Sequence, residues 1–394
     1  MSLIPARPSL KNWGNGFVKP QSIKRCTTCV SDNSAFAVSY DSNGQCHGCK
    51  TAINRLQSEW KTGLTGQKLL ESAVDAIKEQ GRGKKYDALI GLSGGIDSAY
   101  LAHVAVRELG LRVLAVHVDG GWNTSPAVHN IETMVRALDL DLRTHVVEWS
   151  EMADLQLAFL RSGVFNQDIP QDHAFFSNLY RIADEEKIDY FLSGVNFSSE
   201  CVTHKTDAPA YMDDSHIRAI HDRFGRRNLS SYKLMSFWTY LWKTRITKRP
   251  KVIKPLDFIS YNKNDAKNFL LSNYGWSDYG DKHAESRFTK FYQDIYLPTK
   301  FGYDKRTLHY SSLIVSGQML REDAISELSK PVMTPDRQKQ EVRFVAKKLE
   351  ISEDELMTIL NSPPVSHMEY KNQKALLDNL FYLREKITGK LSPR

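Results

Sequence analysis

The chain has 394 residues, 41% of them hydrophobic and 25% charged, a balance too apolar for a disordered chain and long enough for two or three domains. No run of about 18 apolar residues is present to cross a membrane, and the opening MSLIPARPSL lacks the apolar stretch of a secretion signal, so the expected location is the cytoplasm. The net charge of +7 is uneven: residues 61–200 hold 13 basic and 20 acidic side chains, whereas residues 201–310 hold 20 and 11.

The first element is a cysteine module. Cys26 and Cys29 form one C-x-x-C pair and Cys46 and Cys49 a second, with 16 residues between the pairs. That spacing predicts a four-thiolate zinc site, and four thiolates leave no open position, so the Zn2+ is structural rather than catalytic. SAFAVSYDSNGQ between the pairs alternates like a strand and ends in an Asn43-Gly44 turn, as a zinc-ribbon hairpin does. His47 is an expected bystander, and a disulfide pair does not suit a chain without a secretion signal.

Strands and helices then alternate. YDALIGL (86–92) predicts a buried strand, Ser93-Gly94-Gly95-Ile96-Asp97-Ser98 a turn, and AYLAHVAVREL a helix closed by Gly110. RVLAVHV (112–118) predicts a second strand, Ser125-Pro126 the cap and first turn of a helix to about Leu138, LRTHVVE (142–148) a third strand and DYFLSG (189–194) a fourth. The fold class is therefore α/β, a doubly wound parallel sheet with ligands at the carboxyl ends of its strands. Two glycines at the turn let backbone approach phosphate oxygens, and the helix start behind them supplies N–H groups and a positive dipole end. Ser93 and Ser98 add hydroxyls, and Asp97 can hold Mg2+ against the phosphates. No GxxxxGK[ST] is present, so this is not a Walker loop.

SGGIDS resembles the PP-loop of the ATP pyrophosphatase superfamily. The resemblance implies the adenine-nucleotide alpha-hydrolase type of sheet and ATP cleavage between the α and β phosphates. It implies pyrophosphate on Ser93, Gly94, Gly95 and Ser98, with Asp97 reaching it through Mg2+. It also implies nucleotide contacts at His117 and Asp119, which end the second strand, and at Gly194 and Asn196, which follow the fourth. More of the chain, roughly residues 25–380, is similar to the N-acetyl sugar amidotransferases of lipopolysaccharide and flagellar-glycan biosynthesis. The residues that carry this are the four-cysteine module, GLSGGIDSAYLA, VHVDGGWN, SGVNFSSE, the stretch Tyr279–Tyr292 and KRTLHYSSLIVSGQMLREDAISEL. That family implies adenylation of an acetamido oxygen on a nucleotide-linked sugar, of the UDP-diacetamido-uronic acid kind, and its displacement by ammonia to give an acetamidino group.

Cys201 is the one cysteine outside the zinc cluster and does not sit in a glutaminase motif, so the resemblance implies ammonia from a separate glutaminase with a cyclase-like subunit, a pair like that of imidazole glycerol phosphate synthase. Cys201 itself reads as a packed residue. In the basic segment, Arg223, Arg226, Arg227, Lys243, Arg245, Lys248, Arg249, Lys251 and Lys254 could together meet a diphosphate, a uronate carboxylate or RNA. Lys282, His283, Glu285, Ser286 and Arg287 form a polar cluster ahead of Phe288, Phe291 and Tyr292. Lys282 is the expected catalytic cation beside Ser93 and Asp97. Lys282 again, with Glu285, Ser286, Arg287, Lys300 and Arg306, is an expected substrate contact. The competing reading is a tRNA-modifying PP-loop enzyme, a lysidine-type ligase or a thiolase, although a thiolase needs more cysteines than Cys201; a non-catalytic scaffold is opposed by the intact Ser93, Asp97 and Ser98. The motifs call for neither nucleic acid nor membrane insertion. Three units are expected: a zinc ribbon over 1–60, the ATP domain over 61–260, and a mostly helical substrate or partner region over 261–394.

Overall fold

The computed structural model describes residues 23–34, 38–204, 206, 208–280 and 285–380. Its strands are β1 (Ala88–Gly91), β2 (Val113–Asp119), β3 (Asp141–Val146), β4 (Tyr190–Leu192) and β5 (Lys251–Ile253), all parallel and ordered β3-β2-β1-β4-β5. Before β1 come α1 (His47–Glu59) and α2 (Gly63–Gln80). α3 (Ile96–His103), α4 (Ser125–Leu138), α5 (Trp149–Ser162) and α6 (Ile169–Glu185) lie between the first four strands. α7 (Phe197–Glu200), α8 (Asp214–Phe224) and α9 (Phe237–Leu241) follow β4, and α10 (Lys263–Tyr274) follows β5. The rest is helical: α11 (Arg287–Phe291), α12 (Arg306–Val315), α13 (Arg321–Ser329), α14 (Pro335–Lys348) and α15 (Glu353–Asn361).

Period-two alternation explains why this sheet is covered on both faces. Ala88, Ile90, Val113 and Ala115 point into one core with Val74 and Ile77 of α2, Ala99 and Leu101 of α3, and Met134 of α4. Leu89, Leu114, Val116 and Phe191 point the other way, onto Leu179, Ile182 and Ala183 of α6. β3 is an edge strand and is correspondingly polar and partly exposed.

Two details differ from the sequence reading. The cap of α4 is Thr124, whose hydroxyl accepts from the Ala127 N–H, so Ser125 and Pro126 are the first helical residues. β5 is a three-residue edge strand that the sequence reading did not include. Leu256, Tyr261, Ala266, Leu270 and Trp276 pack into the same core as β1 and β2. No described helix is long and apolar enough to cross a membrane.

Strand order sets the site. The chain leaves β1 towards β2 and β3, then returns across to β4 and β5, so the reversal lies between β1 and β4. The carboxyl ends of strands at such a reversal diverge and open a crevice. The turn after β1 is Ser93–Ser98, and the loop after β4 is Ser193–Asn196.

Candidate active site

Gly94 takes φ +82°, a conformation that glycine adopts without steric cost, and its carbonyl accepts from Asn130 Nδ2 on α4. The turn bonds itself together: the Gly95 N–H donates to Ser93 Oγ (3.3 Å), the Ser93 N–H donates to Ser98 Oγ (3.3 Å), and the two hydroxyls lie 3.2 Å apart. The first N–H of α3, from Ile96, donates to the Tyr279 hydroxyl at 3.0 Å. Asp97 is held by two donors on one oxygen, Tyr261 OH (2.6 Å) and Asn196 Nδ2 (3.1 Å). The β4 loop closes on this point, because a Cβ at Gly194 would meet the backbone of Asp97 and Ser98 at 3.3–3.4 Å. Gly194 and Asn196 therefore position Asp97. His117, at the end of β2, is neutral and of defined tautomer: Nδ1–H donates to the Leu92 carbonyl (2.9 Å) and Nε2 accepts from Asn123 (2.9 Å), while burial lowers its pKa. Asp119 accepts the Gly121 N–H at 2.7 Å and so shapes the loop after β2.

That loop docks the C-terminal region onto the site. The Glu285 carbonyl accepts from the Thr124 N–H (3.0 Å), and the Arg287 N–H donates to the Trp122 carbonyl (2.9 Å). Asn123 and Ser286 pair as an isolated antiparallel bridge. The Glu285 carboxylate consequently faces the Ser93–Ser98 turn, 3.1 Å from where a Cβ at Gly95 would stand. Ser286 caps α11 and donates to Gln171 of α6 at 3.2 Å.

A cavity of about 610 Å3 opens from Ser93 and His117 between α6, α11 and α12. Its walls carry Asp168, Asp172, Glu200 and Glu285, and among the described residues lining it Lys305 is the one Lys or Arg. The Asp172 carboxyl is pushed well above the usual carboxylate range by burial and by the Asp168 charge, with Lys305 opposing. Burial lowers His204, on the far wall, to about 4. The side chain of Ser199 is 3% exposed and also lines the cavity.

Several expected contacts lie elsewhere. Lys300 is buried and donates to the Ile359 and Ser362 carbonyls and to Ser362 Oγ at 2.7–2.8 Å, so it caps the end of α15 instead of meeting substrate. Arg306 is engaged by Asp304 and by the carbonyls of Glu327 and Lys330, beside a smaller neighbouring cavity. Arg287 pairs with buried Glu341 at 2.9 Å and lies 3.3 Å from the Phe344 ring centre, a structural contact between α11 and α14. None of the ten Lys and Arg from Arg223 to Lys254 lines the cavity. Lys282 and His283 lie outside the described residues. Sequence reasoning missed Tyr261, Asp168, Asp172 and Lys305.

The four cysteines converge. Their Sγ atoms lie within 4.8 Å of one another, all are fully buried, none is in a disulfide, and Cys26–Cys49 and Cys29–Cys46 are 3.6 Å apart. Four sulfurs each about 2.3 Å from a tetrahedral Zn2+ stand about 3.8 Å apart, so the set fits that ion. N–H groups of Cys29, Cys46 and Cys49 point at sulfur, which suits thiolates. The second knuckle runs directly into α1, and Tyr40 pairs with Cys46 in an isolated antiparallel bridge; residues 35–37 of the expected hairpin lie outside the described residues. His47 is exposed and bonds Thr51. The module is stitched to the rest: Arg321 of α13 donates to the Cys26 and Cys29 carbonyls, and the cysteines share an apolar cluster with Phe197 and Cys201. Burial pushes the Cys201 thiol up to about 11, which leaves it a packed residue and a poor nucleophile.

Residues 285–384 match the family model described as LPS biosynthesis protein WbpG-like, C-terminal domain. Over 66 residues the chain is 38% identical to the glutamine-hydrolyzing GMP synthase of Corynebacterium jeikeium (strain K411), a stretch covering 17% of this chain and 12% of that enzyme. Among solved structures, U34-tRNA thiolase NcsA from Methanococcus maripaludis with its 4Fe-4S cluster aligns at 15% identity and a TM-score of 0.32, covering 75% of this chain and 87% of that one. NH3-dependent NAD synthetase from Campylobacter jejuni subsp. jejuni NCTC 11168, in complex with the nitrate ion, aligns at 18% identity and a TM-score of 0.29, covering 65% and 97%. The C-terminal quarter of the chain thus matches the WbpG-like domain of LPS biosynthesis, and the first residues of that domain form one wall of the cavity that opens on the Ser93–Ser98 turn.

Proposed function

We propose that this protein is an ATP-dependent, AMP-forming amidotransferase that turns an acetamido group of a nucleotide-linked N-acetyl sugar, of the UDP-diacetamido-uronic acid class, into an acetamidino group. One observation carries the reading: Ser93 of the phosphate loop and Glu285, Ser286 and Thr289 of the WbpG-like domain line a single cavity. Its volume, about 610 Å3, falls in the range of small-molecule sites.

An amide carbonyl is a poor electrophile, and ammonia does not displace its oxygen unaided. Attack of that oxygen on the α-phosphorus of ATP breaks the α–β bridge, releases pyrophosphate and leaves an imidate carbon bearing AMP. Ammonia adds to this carbon, a proton departs, and the C–O bond breaks to free AMP and the amidine. Proximity and alignment supply most of the acceleration. The turn at Ser93–Ser98 and the start of α3 suit the pyrophosphate, with the Ile96 N–H exchanging the Tyr279 hydroxyl for a phosphate oxygen. Asp97, positioned by Tyr261 and Asn196, would hold Mg2+, which neutralises phosphate charge when bound. Zn2+ on Cys26, Cys29, Cys46 and Cys49 would serve structure alone.

The acidic wall suits the nitrogen side of the reaction. Ammonium must shed a proton before it attacks, and a carboxylate raised by burial and a like charge, as Asp172 is, is a stronger base than an ordinary one. Ammonia would come from a separate glutaminase with a cyclase-like subunit, since Cys201 is buried and unreactive. The test mixes the protein with ATP, Mg2+ and an ammonium salt, adding either a UDP-diacetamido-uronate or bulk tRNA. Pyrophosphate release that needs the sugar, and that Asp97→Asn abolishes, is the expected result. Release that answers to tRNA and ignores the sugar overturns the reading in favour of a tRNA-modifying enzyme.

A further inference from the structure

The basic segment that the cavity does not use forms a surface of its own. Between Asp222 and Asp257 the chain has ten Lys and Arg and no Asp or Glu. Within it, α9 and the π-helical turn Trp242–Thr247 turn large apolar side chains outward: Trp238, Trp242 and Ile246 are 61%, 59% and 63% exposed. With Leu241, Leu377 and Leu380 they line a groove of about 430 Å3 whose one charged side chain among the described residues is Arg245. Lys248, Arg249, Lys251 and Lys254, beside it on the β5 edge of the sheet, are all exposed. Lys243 and Arg249 pair with Asp184 and Asp189 on the sheet side.

A contiguous apolar patch of this kind on a water-facing surface marks an interaction site. We propose that it docks the protein peripherally on a membrane surface rich in anionic phospholipid. Two features select this occupant. Positive charge predominates around the patch: Arg245, Lys248, Arg249, Lys251 and Lys254 are exposed on the β5 side, while the acidic neighbours Asp184, Asp189 and Asp378 are each paired with a Lys or Arg. Clustered Lys and Arg are drawn to anionic headgroups. The apolar set is two tryptophans with aliphatic side chains, which partition into the boundary between headgroups and acyl chains. RNA would use the same cations but gains nothing from Ile246, Leu377 and Leu380, and the groove offers few groups to read base edges. A shallow apolar patch and a basic rim are the two signals that together hold a protein on a bilayer. This proposal does not depend on the amidotransferase reading, and its test needs no activity.

The full-length protein is floated with phosphatidylcholine vesicles, with and without phosphatidylglycerol. The expected result is flotation with the anionic vesicles alone, weakening with salt, together with a blue shift of tryptophan emission. Ile246→Asp abolishes both, and the exposed pair Lys248→Glu with Arg249→Glu lowers partitioning at least about tenfold; circular dichroism and Tm confirm that the variants fold. Failure to float with phosphatidylglycerol vesicles overturns the proposal, as does equal binding to neutral ones. A concentration-dependent dimer that Ile246→Asp dissolves would instead make the face a contact between two copies. Binding of bulk tRNA that Ile246→Asp removes, without vesicle binding, would assign it to RNA.

Discussion

Gly94→Ala probes the phosphate loop where its geometry is least forgiving. The residue sits at φ +82°, and an added Cβ would stand 2.4 Å from the Ala127 carbonyl oxygen, 2.9 Å from its Cα and 3.0 Å from its carbonyl carbon. These are backbone atoms in the first turn of α4, which the Thr124 cap holds in place, so no side-chain rotation relieves the contact. Left-handed backbone costs alanine roughly 1–2 kcal/mol, and overpacking against rigid backbone adds about 1–3 kcal/mol. If the loop keeps its shape, unfolding stability falls by about 2–5 kcal/mol. If it relaxes, the N–H groups proposed to meet pyrophosphate are lost, and pyrophosphate release drops by about two orders of magnitude or more, near 2.7 kcal/mol of barrier. Gly95→Ala is the control. Its Cβ meets Glu285 Oε1 at 3.1 Å and Ser93 Oγ at 3.2 Å, both side-chain ends that can move. Denaturant unfolding and ATP-analogue titration of both variants decide the matter. A Gly94→Ala protein as stable and as tight for the analogue as the parent, or a Gly95→Ala protein worse than Gly94→Ala, would refute the reasoning.

Three further outcomes are expected. His173 is fully buried and lowered to about 4 by burial, with Nδ1–H donating to the Tyr211 carbonyl and Nε2 accepting from the Met235 N–H. The unfolded chain binds the proton that native His173 refuses, so stability falls by about 3 kcal/mol as pH drops from 6.5 to 4, and His173→Gln flattens that slope in urea titrations across this range. Lys300→Met leaves the carbonyls at the end of α15 without their ammonium; stability falls by about 1–3 kcal/mol while KM for the sugar holds, and a large rise in KM would restore Lys300 to the substrate site. Removing metal with a strong chelator, or Cys46→Ser, loosens the cysteine module and, through Phe197 beside Asn196, weakens the hold on Asp97; Tm and pyrophosphate release fall together, and a metal-free protein with unchanged Tm would contradict the fit to Zn2+.

β1, β2 and β4 and the phosphate turn were legible because local pattern decides them: apolar runs buried on both faces, then Gly-Gly between a strand and a helix; β3, at an edge, shows instead a polar strand of alternating exposure. β5 was not, since Lys251-Val252-Ile253 is three residues long, sits at an edge and leaves Val252 half exposed. Thr124 and Ser125 are both good caps, and only backbone geometry separates them. Charge in a sequence does not report burial, so Lys300 and Arg306 read as ligands for anions although each satisfies carbonyls 21 to 62 residues away. Tyr261 could not be found locally, because it meets Asp97 across 164 residues. The acid wall of the cavity is likewise assembled from α6, α7 and the start of the WbpG-like domain, which no spacing in the sequence links. Positive charge after residue 200 first suggested a site for phosphates; the fold instead gathers much of it on the β5 side, away from the cavity.

The most direct test of the account follows one oxygen atom. The UDP-diacetamido-uronate is prepared with 18O in its acetamido carbonyls and turned over with ATP, Mg2+ and ammonium. Adenylation of the amide oxygen predicts one 18O in each AMP released, unlabelled pyrophosphate, and an acetamidino product lacking the label at the reacted carbon. Label retained on that carbon, or found in inorganic phosphate with ADP as the other product, would contradict it.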